Sequence, residues 1–137
     1  MEWKGRVLMI QKFIELGEGY GDIYELCHLL EKNKERFHEA FIFTTKKDDK
    51  SFCSFAVALK AVGESKFMPI YICREGIPYD ENKKAQRITI FNEAVAQLEK
   101  SPNTLEIKHS STFANTNLYY QYLIGILRMN RYIPPMS

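Results

Sequence analysis

The sequence predicts an α/β (α+β) domain in the order β-α-β-β-β-α-β-α. It should hold a mixed five-stranded sheet with an antiparallel central meander and helices packed on it. Three observations carry this. Five short runs (Val7–Leu16, Ala40–Thr45, Ser51–Val62, Phe67–Cys73 and Thr104–His109) have the length and apolar pattern of strands. Three longer stretches, beginning at Asp22, Asn82 and Thr116, repeat their apolar residues at helical spacing. Only short polar turns separate the middle three strands, whereas helices lead to or from the outer two, so parallel and antiparallel pairs must coexist.

Val7–Leu16 is apolar at alternate and intervening positions (Val7, Met9 and Phe13; Leu8, Ile10 and Ile14), the pattern of a central strand. Gly17–Gly21 breaks it. Asp22 is a good N-cap with Glu25 three residues on, and Ile23, Leu26, Cys27 and Leu30 form the buried stripe of the first helix. That helix runs out in the charged stretch 31–36.

Ala40–Thr45 is the second strand, and 46–50 (KKDDK) a polar hairpin loop. Along Ser51–Val62, Cys53, Phe55, Val57 and Leu59 alternate with Ser54, Ala56, Ala58 and Lys60, which predicts a half-buried strand. In Phe67–Cys73, Pro69 lacks a backbone donor and points to an edge or a bulge. The second helix spans roughly 82–100, with Ile88, Phe91, Val95 and Leu98 inward, and 101–103 (SPN) stops it. Thr104–His109 alternates as an outer strand. The last helix spans roughly 116–132. Leu118, Tyr122, Ile126 and Met129 line one face, which Tyr119 and Leu123 widen, and Pro134–Pro135 ends it.

The chain has 137 residues, enough for one domain with a core and too few for a kinase fold or an α/β barrel. Residues 9–137 read as a single globular domain. Residues 1–8 are either the start of the first strand or an extension, with Met9 an alternative start. Net charge is +2, too balanced for a strongly basic nucleic-acid binder. Cys27, Cys53 and Cys73 are odd in number, widely spaced and set in apolar runs. They read as buried small hydrophobes, not as a disulfide framework or a zinc site. The N-terminus lacks a signal-peptide pattern, and the run Leu118–Leu127 is too short to span a bilayer. The expected protein is cytoplasmic and reduced, with no membrane association.

Few motifs outweigh their plain structural readings. Gly17–Gly21, spaced G-x-G-x-G before a helix, could cradle a phosphate. It matches neither the dinucleotide fingerprint nor a P-loop, and Glu18 and Asp22 oppose an anion there. Arg74 and Glu75 follow a buried strand, where a rigid sheet can aim a charged pair, and Arg74 suits a bidentate grip on an anion. His109 precedes Ser110, Ser111 and Thr112. Strand alternation turns His109 and Ser110 to opposite faces, so the hydroxyls read as caps on the way into the last helix. His28, His38 and His109 show no metal-ligand spacing. Tyr119, Tyr120, Tyr122 and Tyr132, with Arg128 and Arg131, could pack a core, form a dimer seam or stack bases. Packing ranks first, the seam second.

Two resemblances follow from these residues. The segments Phe13–Tyr20 (FIELGEGY), Tyr71–Pro78 (YICREGIP), Ser110–Phe113 (SSTF), Leu118–Asn130 and Tyr132–Pro135 resemble a small uncharacterised family from Bacillus-type bacteria, over about Met9 to the C-terminus. Some of its members carry a sugar-kinase name (methylthioribose kinase). This chain has no phosphate loop, no catalytic-Asp motif and too few residues for that fold. The element order from Asp22 to His109 is similar to the core of restriction-endonuclease-like folds, an analogy at fold level. Those enzymes hold Mg²⁺ with an Asp and a Glu-x-Lys. Here Asp48 or Asp49 precedes the corresponding strand, and Phe67–Cys73 has no Glu-x-Lys.

The leading expectation is a non-catalytic regulatory or interaction module, a homodimer through Tyr119, Tyr120, Tyr122, Arg128 and Tyr132 on its last helix, with no cofactor and no metal. The second is an enzyme or binding protein for a small molecule or phosphate ligand. In it Glu15, Glu18, Arg74, Glu75, His109 and Ser111 converge at strand ends, Arg74 gripping an anion and a glutamate acting as base. The third is a degenerate nuclease-like module that binds nucleic acid through Arg128, Arg131 and the tyrosines.

Overall fold

A computed structural model describes residues 10–16, 22–74 and 81–134. The elements are β1 (Ile10–Glu15), α1 (Asp22–Lys32), β2 (Phe37–Lys47), β3 (Lys50–Leu59), β4 (Phe67–Cys73), α2 (Glu81–Ala96), β5 (Asn103–Glu106) and α3 (Thr116–Met129), with single 3-10 turns at 34–36 and 110–112. The five strands form one sheet in the order β1-β4-β3-β2-β5. β1 pairs parallel with β4, and β5 parallel with β2, while β3 pairs antiparallel with both its neighbours. The expected mixed sheet with a central meander is therefore present, and β3 alone runs against the other four.

Period-two alternation sorts the strand side chains to two faces. Ala40, Ile42, Cys53, Phe55, Val57, Leu59 and Cys73 meet α1 (Ile23, Leu26, Leu30) and α2 (Phe91, Val95). Phe13, Phe41, Phe43, Ala56, Ala58, Ile70 and Ile72 meet Tyr119, Leu123 and Leu127 of α3. The domain is a three-layer sandwich, two helices on one side and one on the other.

Several expectations need correction. β1 is an edge strand, not a central one. Ile10 is 60% exposed, while Gln11 and Phe13 are buried. β3 is not half-buried: every residue from Cys53 to Leu59 is buried. Its second face carries Ser54, Ala56 and Ala58, which look polar or neutral in sequence, but small residues are what lets α3 approach the sheet. Pro69 lies on an inner strand, at the point where the β3 ladder stops at Ile70. α3 ends at Met129 instead of Tyr132, through Tyr132 N–H to Leu127 O (2.9 Å) and Arg131 N–H to Arg128 O (3.0 Å), with Arg131 at φ 62°. That is a Schellman motif. The buried line of α3 is Tyr119, Leu123 and Leu127, rotated from the expected stripe, so Leu118 and Met129 face outward at 44% and 83% exposure. The hairpin loop is also tighter than expected. Asp48 and Asp49, at φ 52° and 64°, make a two-residue turn between β2 and β3.

Candidate functional site

Four of the five strands point the same way, so the carboxyl ends of β1, β4, β2 and β5 share one edge of the sheet with the start of β3. Open α/β sheets bind ligands at such an edge. Two groups of polar side chains lie along it.

The first sits where β1 and β4 end. Arg74 Nη1 donates to Glu15 Oε1 at 3.2 Å, both side chains being part-exposed. The guanidinium also lies over the Tyr119 ring, 5.4 Å from its centroid. Tyr120 stacks on Phe13 beside them (4.9 Å, 17° between planes). Burial and the Glu15 carboxylate push its hydroxyl well above the usual phenol pKa. The anion that Arg74 holds is thus Glu15 of its own chain. Glu18 and Glu75, expected to join this group, lie outside the described residues, as do the Gly17–Gly21 turn and residues 1–9.

The second group lies three strand steps from β4, roughly 14 Å away at ordinary strand spacing. Here the base of the β2–β3 hairpin, the segment after β5 and the first turns of α3 enclose a solvent-open cleft of about 800 Å³. Its walls are Thr44, Thr45, Lys46 and Ser51 on one side, and Glu106, Ile107, Lys108, His109 and Thr112 with Tyr122 on the other. Ile107 N–H bonds Thr44 O (2.9 Å), which prolongs the β2–β5 pairing and fixes the cleft floor. Lys108 N–H donates to the Tyr122 hydroxyl oxygen (3.1 Å), which ties the segment after β5 to α3 within that second wall.

Thr45 is the anomaly in this cleft. The residue is 5% exposed, and its hydroxyl is buried without a hydrogen-bond partner. A buried hydroxyl left unpaired costs about 1–3 kcal/mol.

His109 and Ser111, two of the expected site residues, meet at this cleft. Ser111 N–H donates to His109 Nδ1 (3.1 Å), with Ser111 Oγ 2.9 Å from the same nitrogen. A backbone amide can only donate, so neutral His109 carries its proton on Nε2. The Oγ–Nδ1 distance matches a nucleophile–base pair. Its two-residue separation, and the sharing of Nδ1 with the Ser111 amide, are instead the geometry of a local cap, since His109 caps the 3-10 turn 110–112. Residues 110–112 form a turn in the connection to α3, and α3 itself is capped by Asn115, which accepts from Leu118 N–H (2.9 Å). The four expected site residues that are described therefore do not meet at one place. The described ones fall into two pairs, Glu15 with Arg74 and His109 with Ser111, at separate places on one edge.

Among the described residues no three His, Cys, Asp or Glu side chains gather as metal ligands, and no helix is long and apolar enough to cross a membrane. The family described as Domain of unknown function (DUF7147) matches residues 9–133. The chain belongs to this family. Comparison with curated proteins and with solved structures gave no match. The expectation of an uncharacterised family is met.

The residues expected at a dimer seam are engaged within the DUF7147 chain itself. Tyr119 is 1% exposed, and Tyr132 sits edge-on to Phe41. Tyr122 lines the cleft and packs on Phe113. Arg128 donates from both Nε (3.0 Å) and Nη2 to Gln11 Oε1, while Gln11 Nε2 donates to Pro134 O (2.9 Å). Asp48 and Asp49, which precede the strand compared with the nuclease Asp strand, form the tip of the hairpin.

Sequence reasoning missed Arg87 and Thr45. Arg87 is buried on the stripe that continues to Phe91 and Val95, and it pairs with Asp22. The signal was there: a cation four and eight residues before buried apolar positions on one helix face. Thr45 offered no such signal, because a threonine closing a strand is ordinary.

Proposed function

We propose that this DUF7147 chain is a non-catalytic binding module that takes a small polar molecule in the cleft between the β2–β3 hairpin and the His109 segment. The unpaired, buried Thr45 hydroxyl carries this reading. Natural interiors rarely leave such a group unsatisfied, and a ligand atom entering the cleft is what would satisfy it. The cleft's volume, near 800 Å³, suits a small molecule. The side chains support a non-catalytic reading: the His109 Nδ1 that a serine would need as base accepts the Ser111 amide, and Glu15 is ion-paired with Arg74. A regulatory role, in which occupancy of the cleft is passed to a partner, fits this arrangement, as does a cytoplasmic location for three cysteines that form no disulfide.

A thermal-shift screen against a metabolite library tests the reading. The expected result is a saturable rise in Tm with at least one small polar compound, lost in Thr45→Val while the far-ultraviolet circular dichroism is unchanged. Ligands whose binding survives Thr45→Val, and whose contacts map away from the cleft, would refute it.

Self-association is a second reading. It rests on the outward face of α3, where Leu118 and Met129 are exposed and Gly125 has open space around it. Light scattering of wild type and Met129→Glu reads it directly: a dimer lost in the variant supports a seam there, and a monomeric wild type removes it.

A further inference from the structure

We infer that the molecule taken by the cleft is a small phosphate ester carrying at least one free hydroxyl, a deepening that rests on the cleft being the ligand site. What the walls can give and receive decides the partner. Lys46 and Lys108 are cations, against Glu106 as the one carboxylate in the lining. Ammonium groups only donate, so the charged part of the wall calls for an acceptor-rich, negatively charged partner. The neutral groups lean the same way. Tyr122 already accepts the Lys108 amide, which leaves its own hydroxyl proton to donate. Thr45 adds a buried hydroxyl whose partner has still to be supplied.

A tetrahedral oxyanion presents several acceptor oxygens at once and matches such a wall better than a planar carboxylate. Glu106 gives the complementary feature. It cannot accept from a phosphate dianion, and it repels one placed beside it. It does suit a hydroxyl at the other end of the same molecule, which fixes the ligand's direction in the cleft.

The test is amide chemical-shift mapping on the full chain with four probes at matched millimolar concentration: glucose 6-phosphate, glycerol 3-phosphate, glucose and inorganic phosphate. The expected result is saturable shifts at Thr45, Lys46, Lys108 and His109 with both phosphate esters, weaker shifts at the same amides with inorganic phosphate, and none with glucose. Lys108→Gln is expected to weaken the ester roughly tenfold with the fold unchanged, and Glu106→Gln to narrow the gap between the esters and inorganic phosphate. Glucose shifting these amides as strongly as glucose 6-phosphate would overturn the phosphate inference and leave the cleft as the site. No shift at these amides with any phosphate probe would also overturn it, and the library screen with Thr45→Val would then judge the cleft by itself. Phosphate esters that shift only amides around Arg74 would overturn both.

Discussion

Arg87 Nη2 lies 3.1 Å from Asp22 Oδ1, joining α2 to the start of α1 with side chains only 4% and 2% exposed. The same nitrogen donates to Arg74 O (3.2 Å), and the guanidinium lies 5.0 Å from the centroid of Phe55. Cys73 Sγ–H donates to Asp22 O (3.2 Å), so this one residue anchors β4, α1 and α2 together below the carboxyl edge of the sheet. Removing one partner of a buried pair strands the other charge. Arg87→Met is expected to cost about 3–5 kcal/mol by urea denaturation, whereas Asp22→Leu with Arg87→Met should recover most of that loss. Equal losses in the single and double variants would show that the pair is not the source.

The pair also sets a pH dependence. Burial raises the Asp22 pKa above its ordinary 3.8 by more than the Arg87 guanidinium lowers it. Folded Asp22 therefore holds its proton more firmly than unfolded Asp22 does. Its contribution to stability is greatest below the unfolded value and is lost as pH rises through the window up to the folded value. Stability of wild type minus that of Asp22→Asn should accordingly increase as pH is lowered through the acid range. A difference that shrinks instead would mean that Arg87 outweighs desolvation.

Thr45→Val is expected to stabilise the ligand-free protein by about 1 kcal/mol, because it replaces an unpaired buried hydroxyl with a methyl group of the same shape. Chemical denaturation checks it, and a loss of that size would show the hydroxyl to be paired in solution.

Among the described residues four non-glycine positions hold a positive φ, Asp49 and Arg131 the largest. Asp49 in the hairpin turn and Arg131 after α3 hold φ of 64° and 62°, where a Cβ is strained. Asp49→Gly and Arg131→Gly should each stabilise by about 0.5–1 kcal/mol. The effects should add, since one lies at the hairpin tip and the other beyond the far end of α3. Thermal melts of both singles and the double measure this.

Thiol labelling reports on burial. Desolvation raises the pKa of all three cysteines, Cys27 to about 11. Native protein should react slowly with iodoacetamide near neutral pH. Cys27, the half-exposed one, should label first as pH climbs, and all three should label promptly in denaturant. Fast labelling of native Cys73 would contradict the packing of β4 on Asp22.

Much of the fold was legible because it is written in local periodicity. Phe67–Cys73 was read with its observed bounds, and the stripe Ile23, Leu26 and Leu30 is buried as its spacing implied. The errors share a cause. Whether Val7–Leu16 lies at the centre or the edge of the sheet, and whether Ala56 and Ala58 face water or α3, depends on what packs beside them, which no local pattern states. The candidate site was half legible. Glu15 and Arg74 do lie at the ends of β1 and β4, whereas β5 stops at Glu106, so His109 and Ser111 lie beyond the strand that was expected to reach His109. Their separation into two places was not visible, because it follows from a strand order that inserts β3 and β2 between them.

Taken alone, the sequence determined the number and kind of elements, the antiparallel meander and the residues that would be buried on each helix to within about a turn. Those are short-range properties, set by side-chain spacing against a period of two or of 3.6. The tertiary structure decided the rest: that four strands point one way, that Arg87 finds Asp22 sixty-five residues away, and that Thr45 closes a cleft with its hydroxyl unpaired. Such pairings arise when the layers are stacked, because only then do residues distant along the chain share a low-dielectric space in which a missing partner carries a cost.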